Sequence, residues 1–135
     1  MNNTLRNILT VIFGIIIGGF VNMGVILISG SIIATPEGSD TTTMEGLIDS
    51  MHLFKPRHFI MPFLAHAIGT LTGAFIAAKF STSKKLLSAI VVGVFFIFGG
   101  ITNVFILPSP VWFSMIDVVA AYIPMAYLGA QLAKG

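Results

Sequence analysis

Inside the apolar runs of this 135-residue chain stand four polar side chains capable of proton or ligand chemistry: Asn22, His66, Asn103 and Asp117. Asp117 is the only acidic residue within such a run. A carboxylate in hydrocarbon costs several kcal/mol, so it is expected to face a protein interior or a wet cavity. Counted from Trp112, Asp117 lies about 7–8 Å below a membrane interface, and His66, counted from Phe59, lies about 10 Å deep. Asn22 and Asn103 fall in the same half, so four different segments contribute to one layer. An Asp–His pair there could exchange a proton near neutral pH, or hold a cationic or hydrogen-bonding ligand. Thr70, one helical turn beyond His66, adds a hydroxyl that needs a partner away from water.

The competing reading is that these groups only tie helices together. Interhelical hydrogen bonds in membranes average about 0.6 kcal/mol, and this is the role expected of Asn22 and Asn103. An ionisable pair is a costly tie, which leaves Asp117 and His66 as the candidates for function. Metal binding is not expected, because His52, His58 and His66 lack the paired spacing of a zinc helix. A haem could use His66, but no second axial ligand is evident, and no cofactor is expected. There is no P-loop, nucleotide fingerprint or GxSxG motif. Catalysis is the weakest reading, since Asp117 and His66 could serve as acid and base but no nucleophile accompanies them.

The element that must position His66 is the stretch from Phe59 to Ala78, which carries no formal charge unless His66 is protonated. About 20 residues of helix span about 30 Å of hydrocarbon. Ala65, Gly69, Gly73 and Ala77 recur every fourth residue, the small-xxx-small pattern by which membrane helices approach closely. This span is therefore expected at the centre of the molecule. Three others accompany it, giving spans at about 8–29, 59–80, 86–107 and 111–132. The first is too long for a signal-peptide core, and Ser29-Gly30-Ser31 is a poor cleavage site. Pro124 is expected to free the carbonyl of Ala120 and kink the fourth span between Asp117 and Tyr127. Between spans one and two, Thr42-Thr43-Met44-Glu45 fits a capping box with Thr42 as cap. Met44, Leu47, Ile48 and Met51 then form an amphipathic stripe, read as a short helix lying on the bilayer or capping the bundle. His52 and His58 read as interfacial side chains.

Composition supports the same class. The chain is 56% hydrophobic and only 9% charged, against about 25% charged in soluble domains. A net charge of +2 with no basic–aromatic cluster argues against nucleic acid, and the absence of cysteine excludes disulfides and thiolate sites. Arg6, Lys79, Lys84, Lys85 and Lys134 fall on one side, and Lys55 and Arg57 on the other with Glu37, Asp40, Glu45 and Asp49. The positive-inside rule then puts both termini in the cytoplasm of an inner-membrane protein. Gly18-Gly19-Phe20-Val21-Asn22 parallels Gly99-Gly100-Ile101-Thr102-Asn103, and spans two and four end in similar Gly-Ala…Ala-Lys runs. Two duplicated helical hairpins would explain this, as would convergence on common membrane residues.

The expected fold is thus an all-α membrane protein, one integral domain over residues 1–135. It is a four-transmembrane-helix bundle with an extracytoplasmic amphipathic helix in its first loop. The expected function is a small transport or ligand-binding protein with an outward-facing polar layer, taking a small molecule or ion. The alternative is an accessory or assembly subunit whose layer is purely structural. Either way the partners are lipid and further copies, or a larger membrane complex.

Overall fold

A computed structural model describes residues 2–134. The chain is 82% helical, with no strand among the described residues, and four of its helices are long and apolar enough to cross a membrane. The first, α1, runs Asn3–Ile32. It begins five residues before the apolar run because Asn2 caps it: the Asn2 Oδ1 accepts from the Thr4 and Leu5 amides at 2.7 and 3.3 Å. The polar first turns also have distant partners. Arg6 Nε donates to the Phe80 carbonyl at 3.0 Å, and Asn7 Nδ2 donates to the Ser83 carbonyl at 3.1 Å.

After α1 the chain turns at Gly38, whose φ of 84° suits a residue without Cβ. Asp40 Oδ1 accepts from the Thr42 amide at 3.0 Å and the Thr42 hydroxyl at 2.6 Å. These bonds hold the Asp40 carboxyl below the usual aspartate range. They also move the expected cap by one residue. With the Thr42 hydroxyl engaged, Thr43 caps α2 (Met44–Ser50), accepting from the Gly46 amide at 3.0 Å. The stripe rolls from exposed Met44 through half-buried Leu47 and Ile48 to buried Met51.

Two 3₁₀ turns, Met51–Leu53 and Pro56–Phe59, lead into α3 (Ile60–Phe80). His58 packs inward at the loop end. It is buried, and its Nδ1 accepts from the Lys55 amide at 2.8 Å, closing the turn that starts the span. Helix α4 covers Lys85–Ile106, α5 Val111–Ala120 and α6 Ile123–Lys134. The last two are one apolar span broken at Ala121–Tyr122, where Pro124 has no amide for the Ala120 carbonyl.

Helix α3 touches α1, α4, α5 and α6. Its small residues decide how closely. A Cβ on Gly69 would sit 2.8 Å from the Gly18 carbonyl oxygen, and one on Gly73 would sit 2.6 Å from that of Gly14. The two helices thus run antiparallel with backbone against backbone. On the opposite flank a Cβ on Gly129 of α6 would meet the Leu71 carbonyl at 2.7 Å. Between them lie Ala74, Ala77, Ala78, Ala89, Val92, Ala126 and Ala130, all buried. Such packing works through dispersion between closely spaced helices, since lipid offers no hydrophobic drive for association.

The two ends of the molecule differ. At the end carrying the α3–α4 turn, Ser81 Oγ lies 2.7 Å from the Ala77 carbonyl, 2.8 Å from Ser88 Oγ and 3.0 Å from Thr10 Oγ1. This hydroxyl cluster joins α1, α3 and α4 at what we call the basic end. The opposite, loop end carries residues 33–59 and an aromatic cluster of Phe54, His58, Phe59, Trp112 and Phe113.

Candidate functional site

His66 sits two turns into α3 from the loop end, and Asp117 sits in the last turn of α5. Their side chains meet: His66 Nδ1 is 2.8 Å from Asp117 Oδ1. The break after α5 brings Tyr122 to the same point. Its hydroxyl donates to Asp117 Oδ2 at 3.2 Å, and its ring lies 5.8 Å from the His66 ring at 24°. Both carboxylate oxygens therefore have a partner, which is what a buried carboxyl requires.

The cluster is closed on most sides. Asp117 and Tyr122 are buried, as are Ala65 next to His66, Ala121 next to Tyr122, and Gly100 of α4. Gly100 is where the phenol rests, since a Cβ there would stand 2.5 Å from the Tyr122 hydroxyl. The His66 side chain is 20% exposed against 7% for that of Asp117, so the imidazole is the open edge.

The remaining candidates have different surroundings. Thr70 is one turn further along the His66 face of α3, and its buried Oγ1 has no hydrogen-bond partner. Asn22 packs over Gly69, where a Cβ would lie 2.9 Å from Asn22 Cβ, and its buried Oδ1 is likewise unpartnered. Asn103 is half-buried on α4, one turn beyond Gly100 on the same face. Among the described residues no hydrogen bond joins its side chain to Asn22, His66 or Asp117. Ala65, Gly69, Gly73 and Ala77 are all buried. The repeated glycine pairs differ in environment, Gly18 lying on α3 while Gly99 has open space around it.

Tyr122 was not singled out by sequence reasoning as part of the layer. The available signal was Pro124, which breaks the helix and lets Tyr122 turn back toward Asp117, five residues earlier. The hydroxyl cluster around Ser81 escaped notice because single serines and threonines near a turn carry no pattern.

Chemically, the cluster is an acid–base pair with a phenol donor. Among the described residues the hydrogen-bond partner of His66 is Asp117, and no nucleophilic hydroxyl is bonded to its ring. Among the described residues no three His, Asp or Glu side chains converge as a metal site. Two grooves lie elsewhere. One, about 190 Å³, is lined by aromatic residues including Phe59, Phe63, Trp112 and Phe113, and the other, about 300 Å³, by Arg6, Leu9, Thr10 and Phe13.

Comparison with protein-family models, with curated proteins and with solved structures finds no match to this chain. What the fold and site define is a multi-pass membrane protein with a buried acid–base pair near one end.

Proposed function

We propose that this is a small inner-membrane transport or ligand-binding protein, a four-transmembrane-helix bundle whose His66–Asp117 layer is its functional site and faces outward. The observation carrying this reading is the 2.8 Å contact between an imidazole of α3 and the only acidic residue inside a span. A purely structural tie between helices has no need of two ionisable groups. The orientation rests on Arg6, Lys79, Lys84, Lys85 and Lys134 at the basic end, which favours cytoplasmic termini and residues 33–59 outside.

A second reading, an accessory subunit of a larger membrane complex, is favoured by one observation. Gly19, Gly24 and Gly99 have nothing near the position of a Cβ, leaving small-residue surface on α1 and α4 free for another helix. The experiment is a double-mutant cycle of Asp117→Asn and His66→Gln, read in unfolding stability and in growth of cells lacking the wild-type copy. Coupled loss of growth supports the site. Coupling confined to stability, with growth intact, refutes it in favour of the subunit reading.

A further inference from the structure

Granting that the layer is the functional site, we propose that its ligand is a proton, taken up and released at Nε2 of His66 from the outer side, with Tyr122 as the positioning residue. The geometry around Asp117 argues against a larger ligand. Oδ1 faces His66 Nδ1 at 2.8 Å and Oδ2 accepts from Tyr122 at 3.2 Å, so an organic cation would have to displace one of them. There is no slack to do so. The phenol already stands where a Cβ on Gly100 would be, and Ala65 and Ala121 are fully buried. A proton needs no volume.

His66 Nε2 is the one ring nitrogen left over. Among the described residues it has no hydrogen-bond partner, yet it is not among the sealed, unpartnered polar atoms, which are Asn22 Oδ1 and Thr70 Oγ1. With Asp117 ionised and Nδ1–H donated to Oδ1, Nε2 carries a lone pair at the open edge of the ring. A proton from water adds to that lone pair, and the pair passes from a net charge of −1 to a neutral imidazolium–carboxylate. Release reverses the step at the same atom.

The exchange is one-sided. From Thr70 toward the basic end, the buried residues of α1, α3, α4 and α6 are all Gly, Ala or Val until Ser81 and Ser88. No chain of polar groups crosses that layer. The other charged groups on the elements around the pair are Lys55 and Arg57, at the loop end before α3, and one residue on each long helix. In α1 the charged residue is Arg6, in α3 Lys79, in α4 Lys85 and in α6 Lys134, all at the basic end. Tyr127 of α6 is exposed, and His58 before α3 is committed to the Lys55 amide. Tyr122 reaches both partners, by its hydroxyl on Asp117 and its ring on His66.

The test is nitrogen-15 NMR of the full chain in lipid nanodiscs, with labelled histidine and no added solute, titrated from about pH 9 to about pH 4. The His66→Gln variant identifies the signal. The expected result is a Nδ1-protonated imidazole at high pH that gains a proton at Nε2 as the pH falls. Tyr122→Phe, which keeps the ring and removes the donor, should move the midpoint by about half a unit or more, and Asp117→Asn further. A His66 signal that never titrates, that starts with Nδ1 bare, or that titrates identically in Asp117→Asn overturns the proposal. The wild-type titration decides this even where a variant fails to fold. If His66 titrates as expected while the Asp117 and His66 variants grow normally, proton uptake stands and the transport reading falls. If growth depends on the pair but His66 does not titrate, the proton is refuted and a solute remains.

Discussion

Gly69→Ala adds one methyl group where α1 and α3 meet. That carbon would sit 2.8 Å from the Gly18 carbonyl oxygen, 2.9 Å from Asn22 Cβ and 3.3 Å from Asn22 Cα. Two of the three obstacles are main-chain atoms, and the third is a Cβ with no rotamer freedom, so no side chain can swing aside. Ordinary contact requires about 3.4–3.5 Å, so α1 must retreat by about half an ångström. The displacement separates Gly14 from Gly73 as well, because a rigid helix moves as a unit. Overpacking of this kind costs about 1–3 kcal/mol. The assay is reversible unfolding in mixed detergent micelles, with Gly19→Ala as the control. Gly19 lies one residue from Gly18 on the same helix but has nothing within 4 Å of its Cβ position. Its substitution should leave stability unchanged or raise it by a few tenths of a kcal/mol from helix propensity, up to about 1 kcal/mol. Equal stability of Gly69→Ala and Gly19→Ala would refute the glycine–glycine contact and detach α1 from α3.

Two further outcomes follow from the loop end and the basic end. Single cysteines replacing Ser39 and Ser83 should react with an impermeant reagent from opposite sides of the membrane; labelling of Ser83→Cys from outside intact cells would invert the topology. The Asp40 carboxyl, held low by the Thr42 hydroxyl and amide, favours the folded loop fully above the unfolded aspartate pKa of about 3.9, and that contribution is lost as the pH falls through the lower folded value. Amide exchange at Thr42 and Gly46 should therefore accelerate only in strong acid, and Thr42→Ala should move that acceleration to higher pH; an unchanged profile would show that the Asp40 bonds do not order the loop.

How far the molecule could be read beforehand depended on which quantity was needed. Depth along a helix follows from a fixed rise per residue, so the apolar runs located four membrane-length helices and the levels of His66 and Asp117. Rotation about the helix axis has no such ruler. Asn103 shares the level of Asp117, yet its side chain joins none of the others, while Tyr122 joins through a break whose direction Pro124 alone does not specify. The start of α1 was hidden for another reason. Residues 1–7 read as a short polar start until the partners of Arg6 and Asn7, the Phe80 and Ser83 carbonyls more than seventy residues away, are known. That the His58 ring turns back onto the Lys55 amide could not be read from its place in the chain.

The unequal lengths of the helices bear on which lipid suits this protein. At 30 residues α1 is about 45 Å long, whereas the 22 residues of α4 make about 33 Å, close to one hydrocarbon thickness. Its first turns are pinned by Arg6 and Asn7 to the α3–α4 turn, so the excess accumulates at the far end, where Leu27, Ile28 and Ile32 are exposed. A bilayer of ordinary thickness meets a taller apolar wall on that flank and must stretch, or α1 must lean, at a fraction of a kcal/mol per ångström. Leaning pivots the helix about Gly14 and Gly18, the two glycines at which its backbone meets that of α3. A mismatch between bilayer thickness and α1 would therefore load the seam between α1 and α3.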